Sequence, residues 1–207
     1  MQHYIFTNNF PLRTGIYSAL KDAALSHRYC FIDLDSCNRL QDIMNALASA
    51  EQRCNDRVVF LGGKSIYTDL LTPLKPVDRC ENMNVFHSML TRSAGVTISC
   101  AKKFINACLS LKMLASREVR ICKLSVILKV NKVAEMENLS GKSIYRIDNN
   151  AAKTLCFRSQ LRFHTFLSRE FMYEFTQLLR SDDITQHVTT QLMPFTRFQE
   201  QEVHCPV

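Results

Sequence analysis

Two hydrophobic periods divide this chain, and the change between them near Lys112 limits the folds open to it. Up to Leu111, short apolar runs alternate with amphipathic stretches. Tyr4–Thr7, Tyr29–Leu34 and Arg57–Leu61 read as strands, the last closed by Gly62-Gly63, and Asn84–Phe86 reads as a short fourth. Leu12–Leu25, Leu40–Ala50, Ile66–Leu71 and Val96–Leu111 read as helices. Such alternation implies crossover units on a parallel sheet. After Lys112 only the helical period remains, over Arg117–Leu128, Val130–Glu137, Ser140–Leu155 and Leu161–Arg180. The expected organisation is an α/β domain over 1–112, an all-α four-helix domain over 113–180, and a polar, acidic tail over 181–207 expected to be flexible. With no long linker near Met113, the two halves are expected to lie close together.

The charge follows the same division. Residues 1–111 carry 12 Lys/Arg against 9 Asp/Glu, residues 112–180 carry 13 against 6, and the tail carries 1 against 4. The net +7 is therefore that of the helical segment alone, which has the size and sign of a small nucleic-acid-binding module. No apolar run approaches the ~18 residues of a membrane span, and the N-terminus lacks the layout of a secretory signal, so a cytoplasmic location is expected. Nine scattered cysteines, without a C-x-x-C, read as reduced, buried hydrophobes, and neither a metal nor a cofactor site is expected. The Gly-Lys-Ser triplets at 63–65 and 141–143 are not phosphate loops, because Val58 and Met136 stand where the leading glycine is needed. No catalytic grouping can be argued from spacing, and no small-molecule ligand is expected.

The helical half carries the functional pattern. Ser116 reads as an N-cap, with Glu118 in the first turn. Val133-Ala134 sit on a short helix where a small residue permits close packing, Leu139 closes a turn, and Ser140 caps a long helix. Along that helix Ile144, Ile147, Ala151 and Leu155 form the buried stripe, while Lys142, Tyr145, Arg146, Asn149, Asn150 and Lys153 face away. Arg favours guanine and Asn favours adenine, so this face suits a major groove.

These residues resemble the LuxR/FixJ-type helix-turn-helix domain. Leu114, Arg117, Glu118, Val133, Ala134, Leu139, Lys142, Ser143, Ile144 and Leu155 occupy the matching positions over about 45 residues. The chain departs from the pattern where Leu128-Lys129-Val130 replaces the glycine turn after the first helix, where Ile147 replaces a histidine, and where Cys156 replaces a glycine. The resemblance implies double-stranded DNA as partner, with bases read by Tyr145, Arg146 and Asn149. Phosphates would be held by Asn131 or Lys132 from the scaffold helix, and by Lys142, Ser143, Asn150 and Lys153.

The front half resembles a receiver domain of the same regulators. Asn8-Asn9-Phe10-Pro11 stands where receivers carry an acidic pair, and an amide cannot supply the charge that a magnesium ion requires. Asp33 resembles the phosphoacceptor, Gly62 or Gly63 replaces a Thr or Ser, and His87 or a neighbour stands in place of a Lys. The interval from Asn9 to Asp33 is about 20 residues short, so one strand-helix unit is expected to be lost. Together these features imply a phosphorylation-independent pseudoreceiver in which Asp33 is vestigial. The combination is similar to the Rcs-type auxiliary regulators of enterobacterial capsule and virulence genes, which implies a homodimer or a heterodimer with a full-length response regulator. The apolar richness of 161–180 (Leu161, Phe163, Phe166, Leu167, Phe171, Phe175, Leu178) is consistent with a partner surface. The alternative is an interaction module that sequesters a response regulator without touching DNA.

Overall fold

The computed structural model describes residues 3–21 and 28–181, with side chains up to Tyr173. Residues Met1–Glu170 form one compact unit and Phe171–Val207 a second. The tail from 182 onward, and the side chains of Phe175 and Leu178, lie outside the described residues.

In the first unit, β1 (Tyr4–Phe6), β2 (Tyr29–Asp33), β3 (Arg57–Gly62) and β4 (Val77–Asp78) pair in parallel and in sequential order. β5 (Val96–Thr97) runs antiparallel against the start of β3, pairing Arg57 with Thr97 and Val58 with Val96. Every residue of β2 is buried, as expected of a parallel strand covered on both faces. One face packs Ile5, Phe31, Leu61 and Val77 against Ile16 and Leu20 of α1 (Phe10–Lys21), and against Phe86 and Leu90 of α4 (Met83–Arg92). The helices α2 (Leu40–Gln52) and α5 (Ile98–Leu109) pack together and bury Ile43, Leu47, Ile98 and Ile105. The short α3 (Ile66–Leu70) follows β3 and starts on Ser65, whose Oγ accepts from Tyr67 N.

Three expectations need correction. Val96–Thr97, read as the start of a helix, is strand β5, and α5 begins at Ile98. Residues 84–86 are not a strand but the first turns of α4; Asn82 Oδ1 accepts from Val85 N at 3.0 Å, and Phe86 and Leu90 meet the core one turn apart. The fourth strand is Val77–Asp78 instead. Ser116 is not the cap of α6 (Ser116–Ile127) but its first residue; the cap is Ala115, whose N–H donates to Glu118 Oε2 at 3.0 Å.

α6, α7 (Val130–Glu137) and α8 (Gly141–Thr154) close on a small core of Ile121, Leu124, Val133, Ala134 and Ile144, with Leu139 and Ile147 at its margin. Asn138 takes a left-handed conformation (φ 53°) to end α7, and Ser140 Oγ accepts from Ser143 N to start α8. Cys156 ends α8 at φ 63°, a conformation that glycine adopts without strain. In α9 (Gln160–Ser181), Phe163 and Phe166 are fully buried, with ring centroids 5.7 and 5.2 Å from that of Phe157. Leu167 and Phe171 are buried as well, so of the described apolar side chains of this helix Leu161, Met172 and Tyr173 remain exposed. Among the described residues, no helix is long and apolar enough to cross a membrane.

Candidate functional site

α8 divides its side chains by the helical period. Ile144, Ala151 and Ala152 turn inward, and Leu155 just beyond the helix is buried with them. Lys142, Tyr145, Arg146, Asn149, Asn150 and Lys153 are all exposed, and they fall on one stripe. None of these six side chains makes a hydrogen bond or ion pair among the described residues. Ser143 differs: its Oγ lies 2.9 Å from Ser140 Oγ, within the cap of the helix. Of the two scaffold positions on α7, Asn131 is exposed, and Lys132 Nζ pairs with Glu135 at 3.0 Å. Arg117 and Arg120 both turn to Glu137, at 3.8 and 2.9 Å, so their charge is engaged away from α8. Among the described residues, Lys142, Arg146 and Lys153 of α8 are exposed cations without an ion pair, as is Lys129 at the start of α7.

On α8, one functional position escaped the sequence reading. Asp148 is fully buried on the inner side of α8, between helices, where Gln160 Nε2 donates to its Oδ2 at 3.1 Å and His164 Nε2 lies 3.4 Å away. It sits one turn after Ile144, so its position on the apolar stripe was the available signal. Burial, and then the nearby Asp148 carboxylate, push the Cys122 thiol well above its ordinary range. A buried carboxylate held by α9 fixes the rotation of α8, and with it the direction in which the exposed stripe points.

The second polar centre lies at the carboxyl ends of β1 and β2, where a cavity of about 410 Å³ is lined by Asn8, Asn9, Asp33, Asp35, Ser36, Asn38 and Arg79. Asp33 is buried and its carboxylate is saturated. Thr7 Oγ1 and Ser36 Oγ each donate to Oδ2 at 2.8 Å, and Asp35 N and Arg79 Nη1 donate to Oδ1 at 3.2 and 2.9 Å. Arg79 also reaches Asp35 Oδ2 at 2.6 Å, and Asp35 accepts from Lys64 N and Ser65 N. Asn9 is used locally, its Oδ1 accepting from Leu12 N at the start of α1. The cation beside Asp33 is therefore Arg79, just after β4, and not His87, which is exposed on α4. Gly63 leaves the room for this pairing; a Cβ there would stand 2.5 Å from Asp35 Oδ2 and 2.8 Å from Arg79 Nε.

A third group joins α9 to the sheet half of the same unit. Asp69 of α3, 1% exposed, receives Arg162 Nε at 2.6 Å and stands 3.0 Å from Arg158 Nε. Arg162 also donates to Lys64 O and Ser65 O. Glu170 Oε1 lies 2.6 Å from the buried Tyr67 hydroxyl and accepts from Leu40 N at 2.9 Å. Burial, and then the Glu170 contact, raise the Tyr67 phenol above its ordinary value.

Compared with known proteins, the chain matches no family model, no curated protein and no solved structure.

Proposed function

We propose that this protein is a DNA-binding transcription regulator whose α6–α9 segment acts as a LuxR/FixJ-type helix-turn-helix, with α8 as the recognition helix. The observation that carries the reading is the α8 stripe of six exposed and unpaired side chains, set over a closed apolar core in the segment holding the excess positive charge. Tyr145, Arg146 and Asn149 read bases, and Lys142, Asn150, Lys153 and Asn131 hold phosphates. Ser143 and Lys132 contribute less, being engaged in the helix cap and with Glu135.

The sheet half then serves as a receiver-like domain that works without phosphorylation. Receivers of the flavodoxin-like order place their strands 2-1-3-4-5, and removal of the edge strand leaves a sequential parallel sheet. The four parallel strands here follow that order, with β5 added antiparallel to β3, and this supports the loss of one unit inferred from the short interval between Asn9 and Asp33. Arg79 neutralises Asp33 from within the chain, where a receiver would use a metal ion. Readers of this type gain affinity by engaging two half-sites, which favours a homodimer, or a heterodimer with a full-length response regulator, acting in the cytoplasm.

The test is a fluorescence-anisotropy titration of the full chain against duplex DNA over a salt series. Binding through α8 weakens steeply with salt, with a logarithmic slope of about 0.9 per phosphate neutralised. Salt-independent binding, or none, favours instead an interaction module that captures a response regulator away from DNA.

A further inference from the structure

β1 is the outermost strand of the sheet and pairs with β2 alone, from Tyr4↔Cys30 to Phe6↔Ile32. Along its outer edge, backbone N–H and C=O groups have no strand beside them among the described residues. That edge is the floor of a groove of about 300 Å³, lined without a break by residues 3–8 and flanked by Arg13, Tyr17 and Arg53. Among the described residues, no carboxylate lines it.

The two arginines stand on opposite faces and at opposite ends of this edge. Arg13 belongs to α1, the helix that covers Ile5, and its Nη2 donates to Thr7 O at 2.7 Å. Arg53 follows α2 and holds its guanidinium 4.9 Å from the ring centroid of Tyr4, whose side chain alternates with that of Ile5 and so lies on the other face. From Tyr4 to Thr7 an extended chain covers about 10 Å. A strand laid here places residues i and i+3 on opposite faces at that same separation, matching the two cations.

We propose that this edge is a docking site for an extended acidic segment of a protein partner, added to β1 as a further strand with carboxylates three residues apart on Arg13 and Arg53. Main-chain hydrogen bonds supply affinity in such strand addition, and the alternate side chains supply selection. A second copy of this chain fits less well, since it would bring the same arginines to both sides of the ladder.

The experiment titrates the intact protein into a fluorescein-labelled peptide, Thr-Glu-Val-Thr-Glu-Val-Thr, and reads anisotropy. Saturable binding is expected, weakened about tenfold by Arg53→Glu and by a peptide whose second Glu is moved one position. N-methylation of one alternate set of peptide amides should abolish binding while methylation of the other set leaves it intact, because only one set faces the strand. These peptide comparisons use the unaltered protein, so they hold whatever Arg53→Glu does to folding. Equal affinity for the Lys-for-Glu peptide, indifference to both methylation patterns, or no saturable binding overturns the proposal. So does sedimentation showing self-association that Arg53→Glu abolishes, since the edge would then belong to a second copy.

Discussion

Asp69 in α3 and Arg162 in α9, 93 residues apart in the chain, meet at 2.6 Å with the carboxylate 1% and the guanidinium side chain 30% exposed. Because Arg162 also holds Lys64 O and Ser65 O, one side chain joins the loop after β3 to the helix that supports α8. Removing the acid strands a partly buried cation. Asp69→Ala should therefore cost about 2–4 kcal/mol, below the full range for buried pairs because Arg162 is partly solvated. Arg158, 76% exposed, contributes less, and Arg158→Ala should cost under about 1 kcal/mol. Urea denaturation measures both; equal losses for the two variants would contradict this ranking.

For DNA contact, Arg146→Ala and Asn149→Ala should each relax preference at one base pair, by about 1–3 kcal/mol of discrimination. Lys153→Ala should weaken every sequence alike and flatten the salt dependence by about one phosphate equivalent. Competition against randomised duplexes separates the two behaviours. Unchanged selection in both Arg146→Ala and Asn149→Ala removes α8 from the reading role.

Asp33 should not accept a phosphoryl group. Both of its oxygens already accept hydrogen bonds, and the cation beside it is a guanidinium. Incubation with acetyl phosphate and Mg²⁺ should leave the intact mass unchanged. An added phosphate that vanishes in Asp33→Asn would show that Arg79 yields its place.

The cysteines divide by burial. Cys54, Cys80 and Cys100 are exposed, so iodoacetamide on the native protein should label them, while Cys30, Cys37, Cys108 and Cys122 react only after unfolding. Burial pushes the thiols of Cys30, Cys37 and Cys108 up to about 12 from an ordinary 9.0. An acid whose folded pKa is raised contributes stability that is whole below its unfolded value and is lost above it. Stability should thus decline as pH rises from about 9 towards 12, and serine at Cys30 should reduce that decline. A flat alkaline profile in urea denaturation would refute this assignment.

The parallel sheet was legible because buried runs such as Tyr29–Asp33 must be covered on both sides, and the helical half was legible from its period. Residues 84–86 misled because the β-prone pair Val85-Phe86 looks alike in a strand and in a first helical turn; Asn82 as cap, with Phe86 and Leu90 one turn apart, held the answer. Arg79 was hidden for a different reason. Its partners Asp33 and Asp35 lie far back in sequence, and only the parallel crossover brings the ends of β2 and β4 to one edge of the sheet. Asp148 was visible as an acid on an apolar stripe, but its partners Gln160 and His164 come from the next helix, whose docking no local pattern specifies.

Gly63 ties the acidic cavity to one bare backbone position. Any larger residue there must displace the Asp35 carboxylate or the Arg79 guanidinium, and so loosens that ion pair. Removing Arg79 leaves Asp33 buried, with only neutral donors around its charge. The Asp35–Arg79 pair and the bare backbone at Gly63 are thus mutually dependent, and a substitution at either one acts on the other.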